Sequence, residues 1–176
     1  DAYIASYVMP AADEDDEASA GPAYLYADVD GTRIRYARKG AEDGTPVLFI
    51  HGYGGDLDNW LFNIDAVGEK SPVIALDLPG HGQSDAKLPG ASLEALADFV
   101  ARFMAVIDVA QAHVVGHSMG GAIASQLALS HPKRVASLSL IASAGLGPDI
   151  NNGYTEGFAN AASRRDLKPV LEQLFK

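Results

Sequence analysis

Gly116-His117-Ser118-Met119-Gly120-Gly121 stands between an apolar run, Ala112 to Val115, and a helix-forming run, Ala122 to Leu129. Strand, tight turn and helix follow in that order, with a serine at the turn and a glycine two residues to either side. A serine on so sharp a strand-to-helix turn sits in strained backbone geometry, and a side chain at either flanking position would strike the neighbouring strand or helix. The strain holds the hydroxyl out above a sheet. The N-terminus of the helix behind it leaves unpaired N–H groups facing any negative charge that develops there.

The rest of the chain supplies the sheet that such a turn needs. Tyr24 to Asp28 and Thr32 to Arg38 are strand-like, and Asp30-Gly31 between them is a hairpin signal. Pro46 to Ile50 is an uninterrupted apolar run suited to a central parallel strand. It ends in His51-Gly52-Tyr53-Gly54-Gly55. Asp56 or Asp58 caps a helix to about Glu69, with Trp60, Leu61, Ile64 and Val67 on its inner face. Val73 to Leu76 is the next buried strand, closed by the glycine-rich stretch Asp77 to Asp85. Ser92 caps a helix to about Asp108, with Leu93, Leu96, Val100, Phe103 and Ile107 turned inward. A last strand spans Val135 to Ile141, and two short amphipathic helices follow, Gly153 to Ala162 and Leu167 to Phe175.

Strand–helix alternation after a hairpin implies a mostly parallel sheet with helices on both faces, an α/β fold of about six strands. Ligands of such sheets bind at the carboxyl ends of the strands. The three glycine-rich stretches, at 51–55, 77–85 and 116–121, all fall there, and their convergence marks Ser118 as a nucleophile. The expected organisation is a short helix and acidic linker over 1–22, an α/β core over 23–145, and the start of a helical cap over 146–176.

Bulk composition narrows the function classes. Of a net charge of −10, half comes from Asp13-Glu14-Asp15-Asp16-Glu17, so the remainder is only mildly acidic and offers no basic face to nucleic acid or anionic lipid. There is no cysteine, which excludes disulfides, thiolate metal sites and cysteine nucleophiles together. No apolar run approaches the roughly 18 residues of a membrane span. A soluble, cytoplasmic domain is expected. Asp56-Leu57-Asp58-Asn59 lacks the glycine and terminal glutamate of a calcium loop and reads as a helix cap, so no metal site is assigned.

Three ordered motifs resemble the α/β-hydrolase family: Gly116 to Gly120 its nucleophile elbow, His51-Gly52-Tyr53-Gly54 its oxyanion loop, and Asp77 to Asp85 the turn after the following strand. A narrower resemblance rests on His51 to Asn63, Ser143-Ala144-Gly145-Leu146-Gly147 and Ala162 to Leu171. These stretches look like the α/β-hydrolase-type acyltransferase (E2) component of bacterial acetoin dehydrogenase complexes. Members of that family carry an N-terminal lipoyl domain, and residues 1–22 are similar to the junction behind it. No lipoyl lysine motif is present, so the chain corresponds to the catalytic half.

The resemblance implies acetyl transfer from a dihydrolipoyl thioester to coenzyme A, through Ser118. The backbone N–H groups of Met119 and Tyr53 would stabilise the oxyanion, with Gly54 the runner-up donor. One such donor is typically worth about 3–4 kcal/mol of barrier. Gly52, Gly54, His117 and Ser143 are the expected substrate-binding residues. Coenzyme A is a co-substrate, the lipoyl group belongs to a separate domain, and the other components of the complex are the expected partners. A serine esterase or carbon–carbon bond hydrolase is the alternative, and a non-catalytic docking domain a further one.

A serine nucleophile needs a histidine oriented by a carboxylate, and in this fold the order is Ser, then Asp or Glu, then His. His131 is the sole histidine after Ser118, at the far end of the helix leaving the elbow, ~19 Å away along its axis. It reads as a surface helix terminus. His51 and His117 read as pins for their loops, and His113 opens a strand on the opposite edge. The first carboxylate after Ile141 is Asp149, at the start of the cap. The acid and the histidine of the triad are therefore expected beyond Lys176, the chain being a fragment or having its second half in another chain, of which a cleaved or partial chain ending within the cap is the preferred reading.

Overall fold

In a computed structural model, residues 23–90, 92–147 and 151–175 are described. The helix and linker expected over 1–22, and Asp149, lie outside them. Strands β1 (Ala23–Val29) and β2 (Thr32–Gly40) form the hairpin, and Asp30 and Gly31 turn it with φ of 55° and 73°. Two successive positive φ angles match the right-handed twist of the strands, which is why Asp-Gly suits this turn. Strands β3 (Val47–Ile50), β4 (Pro72–Leu76), β5 (Ala112–His117) and β6 (Val135–Ile141) complete a sheet of order β1-β2-β4-β3-β5-β6. β2 meets β4 antiparallel, and β4, β3, β5 and β6 run parallel.

From β3 the chain moves outward to β4 and then returns past β3 to β5. The direction of winding thus reverses between β3 and β5, and their carboxyl ends open a crevice at that point. His51 follows β3 and Ser118 follows β5, so both flank it.

Helices cover both faces. A 3-10 turn (Leu57–Trp60) and α1 (Leu61–Gly68) pack Leu57, Trp60 and Ile64 against Phe49, Val73 and Ala75. On the other face α2 (Leu93–Val106) and α3 (Met119–Ser130) bring Phe99, Val100, Phe103, Ile123 and Leu127 to Leu48, Ile50, Ile74 and Leu76. Successive strand residues point to opposite faces, so Val73 and Ala75 serve one core and Ile74 and Leu76 the other. All five residues of β4 are buried, as a strand covered on both sides requires. Among the described residues β6 is the outermost strand on the β5 side, and its Leu138 and Ile141 are exposed. Helices α4 (Asn152–Asn160) and α5 (Arg164–Leu171) follow, the latter continuing into a 3-10 turn to Phe175.

Two expected inner-face residues are exposed. Leu61 does not join the core, because the 3-10 turn before it has three residues per turn. That spacing stacks Leu57 on Trp60, and the α-helical step then carries burial to Ile64, leaving Leu61 about 100° off the face. In α2 the buried face runs through Ala97, Phe99, Val100, Ala101, Phe103 and Met104, so Leu93 at its first position stays outside.

Candidate active site

Ser118 is the N-cap of α3 with φ 53° and ψ −119°, a conformation that side-chain-bearing residues rarely adopt. Strain of this kind persists only where the surroundings over-determine it. The surroundings here are four main-chain hydrogen bonds: Ser118 N–H donates to Ile141 O at 3.0 Å, and Ser118 O accepts from Gly121 N–H, Ala122 N–H and Ala144 N–H. Its side chain makes no capping bond, so the hydroxyl is left for the crevice it lines. The flanking glycines are steric necessities. A Cβ on Gly116 would lie 2.6 Å from Gly121 Cα, and one on Gly120 would strike the Ile50 and His51 carbonyls. Met119 begins α3, and among the described residues its N–H donates to no partner.

The loop after β3 is held by His51, which is fully buried. Leu78 N–H donates to Nε2 at 3.0 Å, which places the ring proton on Nδ1, where it is donated to Gly52 O at 2.8 Å. Burial is the main cause that pushes the imidazole down to about 4. His51 is therefore neutral, and both nitrogens are committed to pinning its own loop to the turn after β4. That turn is in turn knitted to the sheet by Asp77. Its buried carboxylate accepts from Leu57 N–H and Gln83 N–H at 2.8 Å each and faces the buried Arg35 guanidinium.

A crevice of about 600 Å³ opens over these loops. Gly52, Tyr53, Gly54, His117, Ser118 and Ser143 all line it, so the expected site residues converge, with Met119 N–H at the first helical position beside them. Gly52 lies alongside the elbow: a Cβ there would sit 3.0 Å from Ser118 Cβ and 3.1 Å from His117 Nδ1. Ser143 packs on Gly121 and donates from Oγ to Ala144 O. The opposite wall comes from α4. Phe158 stands edge-on to Tyr53 with centroids 5.5 Å apart and covers Gly54. Tyr154 follows at one-turn spacing, and burial raises its phenol above the ordinary value.

The histidines divide as follows. His113 sits at the amino end of β5, bonded to Ser137 Oγ, and His131 caps the end of α3 with Nε2 hydrogen-bonded to Asp98 at 2.6 Å. Both are remote from the crevice. His117 is exposed and, among the described residues, its ring makes no hydrogen bond; it lines the crevice rather than pinning a loop. Its place at the last position of β5 puts its ring in the opening instead of against a neighbouring loop. Asp56 caps the 3-10 turn in a reciprocal capping box with Asn59, as the spacing suggested. Asp77 and Phe158 carry roles that went unassigned in the sequence. The Asp77 signal was its position opening a glycine-rich turn; the Phe158 signal was its helical spacing from Tyr154.

A mostly parallel sheet with a strained serine after β5 and a loop crossing from the end of the adjacent β3 defines a hydrolase-type scaffold. Residues 45–168 match the family described as the alpha/beta hydrolase fold, and the chain belongs to that family. It is 58% identical over 175 residues to the dihydrolipoyllysine-residue acetyltransferase component of the acetoin cleaving system of Cupriavidus necator, covering 99% of this chain and 46% of that protein. The component of the same name in Pseudomonas putida is 52% identical over 155 residues, covering 88% of this chain and 42% of that one. A solved membrane phospholipase A, described as a bacterial virulence factor, superposes with a TM-score of 0.77 at 35% identity, over 86% of this chain and 51% of its own. The chain thus spans less than half the length of the two acetyltransferase components.

Proposed function

We propose that the protein transfers an acetyl group from a dihydrolipoyl thioester to coenzyme A within an acetoin-cleaving complex, through acetyl-Ser118. The observation that carries the reading is the Ser118 backbone, held left-handed at a helix N-terminus with its hydroxyl uncommitted and an unpaired N–H beside it. The 58% identity to an acetoin-system acetyltransferase component supports the choice of donor and acceptor.

In the first step Ser118 Oγ attacks the thioester carbonyl, forming the C–O bond, and the charge moves to the carbonyl oxygen between the Met119 and Tyr53 N–H groups. Collapse breaks the C–S bond, and the proton lost by Ser118 leaves with the dihydrolipoyl thiol. In the second step the coenzyme A thiol attacks acetyl-Ser118, the C–O bond breaks, and the thiol proton returns to Ser118. A base must carry that proton both ways. His51 is unfitted for it, since both its ring nitrogens are engaged. The triad histidine and its carboxylate are proposed to lie beyond Lys176, in keeping with relatives more than twice as long. Gly52, Gly54, His117 and Ser143 would contact the acyl group and the arm that carries it. The lipoyl group, on its separate domain, and coenzyme A are substrates, the other components of the complex are the partners, and the site of action is the cytoplasm. The segment 146–176 would form the first part of a cap over the site.

The test uses the full-length protein with an acetylated lipoyl domain and coenzyme A. Acetyl-coenzyme A should form, and Ser118→Ala should lower its rate by several orders of magnitude. Release of acetate alone would favour a serine esterase, the reading that similarity to a phospholipase supports. Turnover unchanged by Ser118→Ala would refute the nucleophile, and a protein inert both to substrate and to a fluorophosphonate would favour a docking role.

A further inference from the structure

A second left-handed residue with a side chain stands beside the first. Ala142 has φ 43°, immediately after β6, and lines the same crevice as Ser118. The ladder between β5 and β6 explains it. His117 pairs with Ile141, and the next bond, Ser118 N–H to Ile141 O at 3.0 Å, continues the parallel pattern. In a regular parallel ladder the Ser143 N–H would then donate to Ser118 O. Ala144 N–H does so instead, at 3.0 Å. One extra residue has been fitted between the two bonds, which is a bulge, and here the positive φ of Ala142 accommodates it. The bulge lets the end of β6 grip Ser118 from both its N–H and its carbonyl. It also turns Ser143 onto Gly121 in the first turn of α3, where a Gly121 Cβ would lie 2.7 Å from Ser143 Cβ.

We propose that Ala142 is a positioning residue: its left-handed backbone closes a bulge that clamps the main chain of Ser118 and so aims the hydroxyl. The inference rests on Ser118 being the nucleophile. It goes beyond that reading in assigning the orientation of the elbow to β6 as well as to its own glycines. Ala142 is exposed, so backbone conformation rather than space decides what the position takes: residues that accept positive φ are tolerated and those that do not are rejected. Glycine accepts it freely and asparagine readily, whereas a β-branched residue does not.

The experiment compares Ala142→Gly, Ala142→Asn and Ala142→Val in the full-length protein, using a fluorophosphonate and thermal unfolding. Maximal labelling rate and half-saturating probe concentration are read separately. Glycine and asparagine should stay within about twofold of the parent in maximal rate, and valine should fall at least about tenfold with little change in half-saturation, because misaiming costs rate rather than binding. Asparagine adds bulk to the crevice without opposing positive φ. A fall of about tenfold or more with asparagine would overturn the proposal in favour of simple obstruction, whether or not the valine variant folds. A valine variant that unfolds earlier yet labels at the parental rate would show a structural role alone and would likewise overturn it. A parent protein that fails to label at Ser118 would overturn the nucleophile reading itself, a different outcome from either.

Discussion

Acidification should loosen the His51 tie, and its cost follows from the structure. The buried imidazole holds at about 4 against an ordinary value of 6.5. Above pH 6.5 neither the folded nor the unfolded chain protonates this residue, and its full stabilisation is present. Between 6.5 and 4 the unfolded chain takes up a proton that the folded chain refuses, so stability falls by about 1.4 kcal/mol per pH unit. Over the window the loss is about 3 kcal/mol, a large share of the roughly 5–15 kcal/mol that holds a domain folded. Below 4 both states are protonated and the loss stops. Urea unfolding of the full-length protein and of His51→Gln across this range isolates the effect, since every other group titrates in both. The parent should lose about 3 kcal/mol more than the variant between pH 6.5 and 4. Parallel stability profiles would refute the neutral, doubly bonded imidazole.

Other perturbations test the remaining supports. Asp77→Ala strands the Leu57 and Gln83 N–H groups and leaves the buried Arg35 with Asp58 as its carboxylate partner, and should cost about 2–5 kcal/mol in urea unfolding. Asp77→Asn, which keeps one acceptor oxygen, should cost less. Gly120→Ala pushes a methyl against the Ile50 carbonyl and should cost about 1–3 kcal/mol while slowing fluorophosphonate labelling of Ser118. Phe158→Ala removes the edge-on partner of Tyr53, a contact worth about 1 kcal/mol. If that contact orders the Tyr53 N–H, kcat for acetyl transfer should fall on the order of fivefold, with unfolding barely changed.

The elements were legible because each carried a local signal. Asp30-Gly31 announced a hairpin, Ser92 a helix start that it caps through Ala95 N–H, and the Gly-x-Ser-x-Gly spacing an elbow. What the local signals lack is strand order: nothing near Val73 to Leu76 states that β4 inserts between β2 and β3, which follows only when the crossovers pack. Phase was lost where helix type changed, since the 3-10 turn before α1 exchanged Leu61 for Leu57 in the core. His51 read correctly as a pin because a buried imidazole between two loops has few other uses, and His117 did not because its exposure depends on what stands over β5. The bulge at Ala142 left no trace at all. Alanine has no signature for positive φ, and only the register of β6 against β5 reveals it.

Trapping the intermediate tests the central claim most directly. The full-length protein, mixed with an acetylated lipoyl domain in the absence of coenzyme A, is quenched in acid and its peptides are mapped by mass spectrometry. A single acetyl group should reside on Ser118 and should disappear on adding coenzyme A, at a rate matching turnover. Steady formation of acetyl-coenzyme A with Ser118 never acetylated, or with Ser118→Ala as active as the parent, would contradict the account.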